Sequence, residues 1–153
     1  MPPHSIAPLA AATAVAVVLA GCAYRPTQPN ASTYFMEKQA EHERMVNERK
    51  DEVIRDLAMC ESGGWGPSER PIYGGRGAYL GRLQFAPRTV IAYAKRRDGT
   101  QLTYKEAADL AQDYDRAAEL AKYMIFDLGE TSHWPLCGRK IKLAAQVKEI
   151  LAL

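Results

Sequence analysis

The sequence predicts a predominantly helical α+β domain with a cleft, preceded by a signal peptide and a helical stalk. Three observations carry this reading. Residues 36–59 are dense in Glu, Lys and Arg, contain no Gly or Pro, and place apolar residues at helical spacing. Residues 61–81 hold seven Gly and two Pro, a composition that no regular helix sustains and that reads as loops with a short hairpin. From Pro87 onward, helix start and stop signals return at regular intervals. The chain has 153 residues, which fits one compact domain plus extensions. It is 47% apolar and 25% charged, which indicates neither a disordered chain nor a coiled coil. A formal charge of +2 is too small to argue for a nucleic-acid partner, and it is compatible with an acidic polymer.

Residues 1–21 read as a lipoprotein signal peptide. No charged residue occurs from Ile6 to Ala20, and Leu19-Ala20-Gly21-Cys22 follows at once. Cys22 is the candidate lipidation site, because a Cys directly after Leu-Ala-Gly resembles the lipobox of bacterial lipoproteins. Two acyl chains on one cysteine satisfy the requirement for stable anchoring. The segment before the apolar run lacks Lys and Arg, so the alternative is an uncleaved transmembrane anchor with Cys22 incidental. Either way the remaining chain is exported and lies outside the cytoplasmic membrane, membrane-anchored on the periplasmic or extracellular side. With Cys22 set aside, Cys60 and Cys137 remain. An even remainder in an exported chain points to one disulfide, with two buried free thiols as the alternative. No Cys/His spacing of a zinc site is present, and no metal is expected.

Residues 22–35 contain Pro26 and Pro29 and read as an extended tether. Residues 36–52 form the charged stalk. The domain proper spans 53–138 and opens with a helix whose apolar face is denser, through Val53, Ile54, Leu57 and Ala58. Pro87 suits the first turn of a helix running to about Arg97, which Asp98-Gly99 ends. Thr103 with Glu106 three residues later is a capping-box pattern that starts the next helix near Tyr104. Asp115 is the candidate cap of a further helix ending before Gly129. Residues 139–153 are a basic-then-apolar amphipathic helix, read as docking on the domain, with a membrane or wall contact as the alternative.

Glu61 ends an amphipathic helix and opens the Gly-rich stretch. That places it at a helix C-terminus facing a loop-lined cleft, where the negative end of the helix dipole disfavours a carboxylate. Trp65, Leu83 and Phe85 are candidates to desolvate it further. Both effects raise a carboxyl pKa, as a general acid working near neutral pH requires.

Three strings then matter together: Cys60-Glu61-Ser62-Gly63-Gly64, Ala78-Tyr79-Leu80-Gly81-Arg82-Leu83-Gln84-Phe85, and Trp134-Pro135-Leu136-Cys137. In this order they resemble the motifs of the resuscitation-promoting-factor catalytic domain. That domain is part of the lysozyme-like superfamily, beside the lytic transglycosylases. The resemblance covers about residues 53–138 and includes Asp109-Leu110-Ala111. It implies a lysozyme-like fold, Glu61 as catalytic acid, Gln84 in the substrate cleft and a Cys60–Cys137 disulfide. Tyr79, Phe85 and Arg82 join Gln84 as candidate substrate-binding residues. Tyr79 is the best sugar-stacking candidate, while Phe85 and Trp134 also suit a core. The chain departs from the family at Arg82, where a second Gly is usual, and at Val90, where Trp is frequent. The loop from Gly64 to Ala78 is longer than usual. Arg82 is open to two roles, contact with the glycan or its peptide stem and exposure to solvent.

Glycoside cleavage usually takes two carboxylates, and the family pattern supplies one. Glu69, Asp98 and Asp109 are available, but no motif recommends them. A single acid fits a lytic transglycosylase acting on peptidoglycan, with a 1,6-anhydro product and no cofactor. A hydrolase with a second carboxylate is the variant of this reading. Two other functions stand beside it: a glycan-binding module without catalysis, and a structural lipoprotein whose charged stalk binds a partner protein.

Overall fold

The computed structural model describes residues 31–153. The signal peptide, Cys22 and most of the expected tether lie outside the described residues. The first element, α1 (Ala31–Ser62), is a single helix of 32 residues. The expected stalk and the first core helix are therefore one continuous rod, and the helix begins before the expected end of the tether. Its two halves differ in burial. The first is mostly exposed, with Lys38–Glu41 and Arg49–Glu52 ion pairs at its surface, and only Val46, Lys50 and Asp51 partly covered. The second buries Val53, Ile54, Leu57 and Ala58 at i, i+1, i+4 and i+5, the apolar stripe of a docked helix.

The Gly-rich stretch forms a small antiparallel hairpin, β1 (Tyr73–Gly74) and β2 (Tyr79–Leu80), with Tyr73 opposite Leu80 and Gly74 opposite Tyr79. The side-chain amide of Gln112 fixes the strand entry. Ile72 N–H donates to Gln112 Oε1 and Gln112 Nε2 donates to Ile72 O, both at 2.9 Å. Helix α2 (Pro87–Asp98) has Pro at its start and ends on Gly99 in the left-handed conformation, as its sequence signals require. Helix α3 (Tyr104–Gln112) carries the full capping box between Thr103 and Glu106. The cap of α4 (Tyr114–Lys122) is Asp113 rather than Asp115: its carboxylate accepts from the backbone N–H of Arg116. Asp113 closes α3 and opens α4 at once, so the break between them is a single residue and Asp115 falls inside the first turn.

Helix α4 runs into a π-helical turn at Tyr123–Asp127 that buries Met124, Ile125 and Phe126. The expected C-terminal helix is two pieces, α5 (Cys137–Lys140) and α6 (Leu143–Ile150), because Lys142 adopts a left-handed conformation between them. Leu143, Val147 and Ile150 of α6 are buried in the same core as α1, which agrees with docking. No helix among the described residues is long and apolar enough to cross a membrane.

One contact ties the hairpin to the helices. Gly81 has φ of 73°, and a Cβ added there would overlap the backbone carbonyl oxygen of Ala111 in α3. Only glycine combines that conformation with so close an approach. Gly81→Ala is therefore expected to destabilise the domain by about 2–4 kcal/mol, through strain and forced separation of hairpin and α3. A thermal melt that matches the parent would show that the backbone yields at no cost.

Candidate functional site

Glu61 is placed by three local constraints. The N–H of Gly63, at φ of 73°, donates to Met59 O at 3.0 Å and terminates α1 immediately after the site. The hydroxyl of Ser62 lies 3.1 Å from Ala58 O and 3.2 Å from Gly64 O, bridging the helix end to the loop. Cys60 is joined to Cys137 at the start of α5, with Cα atoms 5.7 Å apart. The disulfide links residues 77 apart in sequence and fixes the backbone beside Glu61 to the Trp134 turn.

The carboxyl group itself is half-buried, and it makes no hydrogen bond or ion pair among the described residues. Burial raises its pKa above the ordinary Glu value. No cation among the described residues offsets that rise. The position at the C-terminal end of a 32-residue helix adds an unfavourable dipole for the anion. Such a group holds its proton to higher pH than a surface glutamate and can deliver it to a substrate oxygen.

The motif of residues 78–85 builds a tight turn beside this helix end. Leu80 and Phe85 exchange both backbone hydrogen bonds at 2.9 Å, and Gln84 N–H donates to Gly81 O at 3.2 Å. Gln84 accepts a left-handed φ of 52° at the last position of that turn. Its amide donates to Gly81 O at 2.8 Å, while Oε1 packs against Gly74 of β1 so closely that a side chain on Gly74 would displace it. Gln84 is thus partly exposed, aligned by the turn, and has its Oε1 committed to no donor among the described residues.

Arg82 is partly exposed and tied to the neighbouring loop. Its Nε donates to Gly66 O at 3.2 Å and its guanidinium covers Gly64. It laces the 81–84 turn to the 64–66 loop, which begins three residues after Glu61. A Cβ on Gly64 would meet the far end of the Arg82 side chain, which would have to shift. Tyr79 is 48% exposed on β2, so one ring face is available for stacking.

Phe85 lies in the hydrophobic core. It is 3% exposed, and its ring meets Trp134 edge-on at 5.4 Å. Trp134 is equally buried and donates from Nε1 to Leu83 O at 2.8 Å. The alternation of the 80–85 turn sends Leu83 and Phe85 inward, which leaves Arg82 and Gln84 at the surface. Trp65 does not serve as the expected shield either: it is 56% exposed and stacks with the Arg55 guanidinium at 5.7 Å.

Among the three further carboxylates, two are engaged locally. Asp98 accepts from the Thr100 hydroxyl and N–H and from Arg97, which together hold its pKa down at about 2. Asp109 pairs with Lys105 at 2.7 Å. Glu69 is exposed on the long loop. Sequence reading missed a separate cluster in which the Tyr93 hydroxyl donates to Glu130, Arg96 pairs with Glu130 at 2.6 Å, and His133 Nε2 lies 2.8 Å from the Tyr93 hydroxyl. Its members come from α2 and the 130–133 loop, about 40 residues apart, and no local pattern announces them.

The fold and site together define a small helical domain with one partly buried, unpartnered carboxyl at a disulfide-pinned helix end. Comparison with family models, with curated proteins and with solved structures finds no match to this chain.

Proposed function

We propose that the chain is an exported, lipid-anchored enzyme of lysozyme-like type that cleaves peptidoglycan glycan strands, with Glu61 as general acid and then base. The observation that carries this reading is the half-buried, unpartnered state of Glu61, whose pKa burial raises. In the proposed reaction Glu61 protonates the glycosidic oxygen between N-acetylmuramic acid and N-acetylglucosamine, and that bond breaks. The substrate's N-acetyl group stabilises the developing positive charge. Glu61, now a carboxylate, takes the proton from the muramyl 6-hydroxyl as its oxygen bonds to the anomeric carbon. The product is a 1,6-anhydro sugar, and the proton balance closes on Glu61 alone. Gln84 and Tyr79 are the residues offered to the substrate, as amide and ring. Digestion of purified peptidoglycan, with product ends identified by mass, tests this: anhydro ends support a transglycosylase, reducing ends a hydrolase.

A second reading, a wall-binding module without catalysis, draws on Arg82. Its guanidinium ties the 81–84 turn to the loop that follows Glu61. Retained binding with no cleavage by folded protein would favour it.

Anchoring is a separate proposal, resting on Leu19-Ala20-Gly21-Cys22. Cys22→Ser is expected to abolish fatty-acid labelling in a bacterial host and leave an unprocessed precursor. A wild type that takes up no label would favour a transmembrane anchor instead.

A further inference from the structure

Away from Glu61, α1, α2, α3, α4 and the π-helical turn line an open hollow of about 700 Å³. Its walls carry four cations, Lys50, Arg97, Arg116 and Lys122, against two carboxylates, Glu119 and Asp127. Ion pairing decides which of these are available. Lys122 is held by Asp51 at 2.9 Å and by Glu119 at 2.5 Å, and Arg97 is held by Asp98 at 2.9 Å. Lys50 and Arg116 make no ion pair among the described residues; the Lys50 ammonium stands 5.4 Å from the centre of the Phe126 ring. Asp127 also makes no ion pair among the described residues. Leu102 and Tyr123 give the cavity an apolar wall. The available groups are therefore two cations, one carboxylate and an apolar surface.

A second hollow of about 460 Å³ shares Arg116, Glu119 and Lys122 with the first and continues along the α1–α4 seam to Trp65. It adds Arg55 over the Trp65 ring, Asp51 already held by Lys122, and the Asp115 carboxylate, which makes no ion pair among the described residues. Trp65 follows Glu61 by four residues, so the seam leads from the Glu61 end of α1 back toward Lys50. Along α1, Lys50 and Glu61 are eleven residues apart, a rise of about 16 Å. About five extended peptide residues span that distance.

We infer that the α1–α4 seam is a binding site for a short peptide bearing carboxylates and one amine, namely the peptide stem carried by the glycan strand. Carboxylates of the stem meet Lys50 and Arg116, its amine meets Asp127, and its apolar side chains meet Leu102 and Tyr123. Asp127 favours a ligand that carries an amine beside its carboxylates over a phosphate dianion, which it repels. The site would hold the strand at a second point while Glu61 acts on the sugar backbone. This inference rests on the wall-cleaving reading for the identity of the ligand, and on the seam's own charges for its chemistry.

The test titrates sugar-free stem peptide into the full chain by calorimetry, beside the same peptide with its carboxylates amidated and beside inorganic phosphate. The intact peptide is expected to bind, to bind more weakly as salt rises, and to exceed both controls by at least about tenfold. Lys50→Gln with Arg116→Gln is expected to weaken it by about tenfold or more. Arg116→Glu alone, a change at an exposed position, should do the same without disturbing the Lys50–Phe126 contact. Glu61→Gln should bind the peptide like the wild type. Absence of binding, equal binding by the charge variants, or phosphate binding as well as the peptide would each overturn the inference. Cleavage of the wall without stem binding would remove the inference and leave the enzymatic reading. Stem binding without cleavage would do the reverse.

Discussion

Glu61→Gln is expected to lower wall-cleaving activity by about 10³–10⁴-fold, the upper part of the range for loss of a general acid–base group. The substitution keeps the shape of the side chain and removes only the transferable proton. One residue serves both proton transfers in the proposed scheme, so both steps fail together. Glycan binding should persist, because Tyr79 and Gln84 are held by the hairpin and the 81–84 turn rather than by Glu61. Release of soluble fragments from purified wall is the measurement, and a variant within a few fold of wild type would remove Glu61 from the chemistry.

The pH dependence follows from the same group. The acid must begin protonated, so activity falls as pH rises through the raised pKa of Glu61. Stability carries the matching sign. A folded-state pKa above the unfolded value favours the folded protein at pH below the ordinary Glu range, and this contribution disappears as pH rises through the raised value. Glu61→Gln should therefore melt no lower than wild type at neutral pH and above, since it removes a partly desolvated anion. A variant that loses both activity and fold would show that Glu61 is structural.

Loss of the Cys60–Cys137 disulfide has the second large effect. A cross-link between residues 77 apart restricts the unfolded chain by about 4 kcal/mol in chain-entropy terms. Reduction, or Cys60→Ser with Cys137→Ser, is expected to lower the melting temperature by more than about 10 °C. It should also cut activity, because Cys60 is the residue that fixes Glu61 against the α5 end. Mass analysis of unreduced protein under denaturing conditions should find no alkylatable thiol at either position. Two alkylated thiols, or a melt indifferent to reductant, would refute the cross-link.

Much of the fold is legible in the sequence because its signals are local. The Thr103–Glu106 capping box, the Pro87 start and the Gly99 stop each act within one helical turn. Where a choice between neighbours depended on backbone detail, the reading moved: Asp113 rather than Asp115 caps α4, because the chain bends at one residue instead of three. The stalk and first core helix are continuous because nothing in 36–59 interrupts helical hydrogen bonding; only burial changes along it.

The sequence by itself determined the helical segments, the glycine-rich turn region and the suspicion that falls on Glu61 at a helix end. These rest on spacing, capping and composition, which act between residues close along the chain. Tertiary structure decided the rest. It buried Phe85 against Trp134, 49 residues away, and turned Arg82 onto Gly66. It clamped Ile72 with Gln112 and left the Glu61 carboxyl half-covered and without a partner among the described residues. It also gathered Lys50 and Arg116 at one cavity while pairing Lys122 with Asp51. Whether a given side chain meets solvent, core or counter-charge depends on which distant segments pack against it. That choice is made by the burial of the whole core at once, and no local stretch of sequence records it.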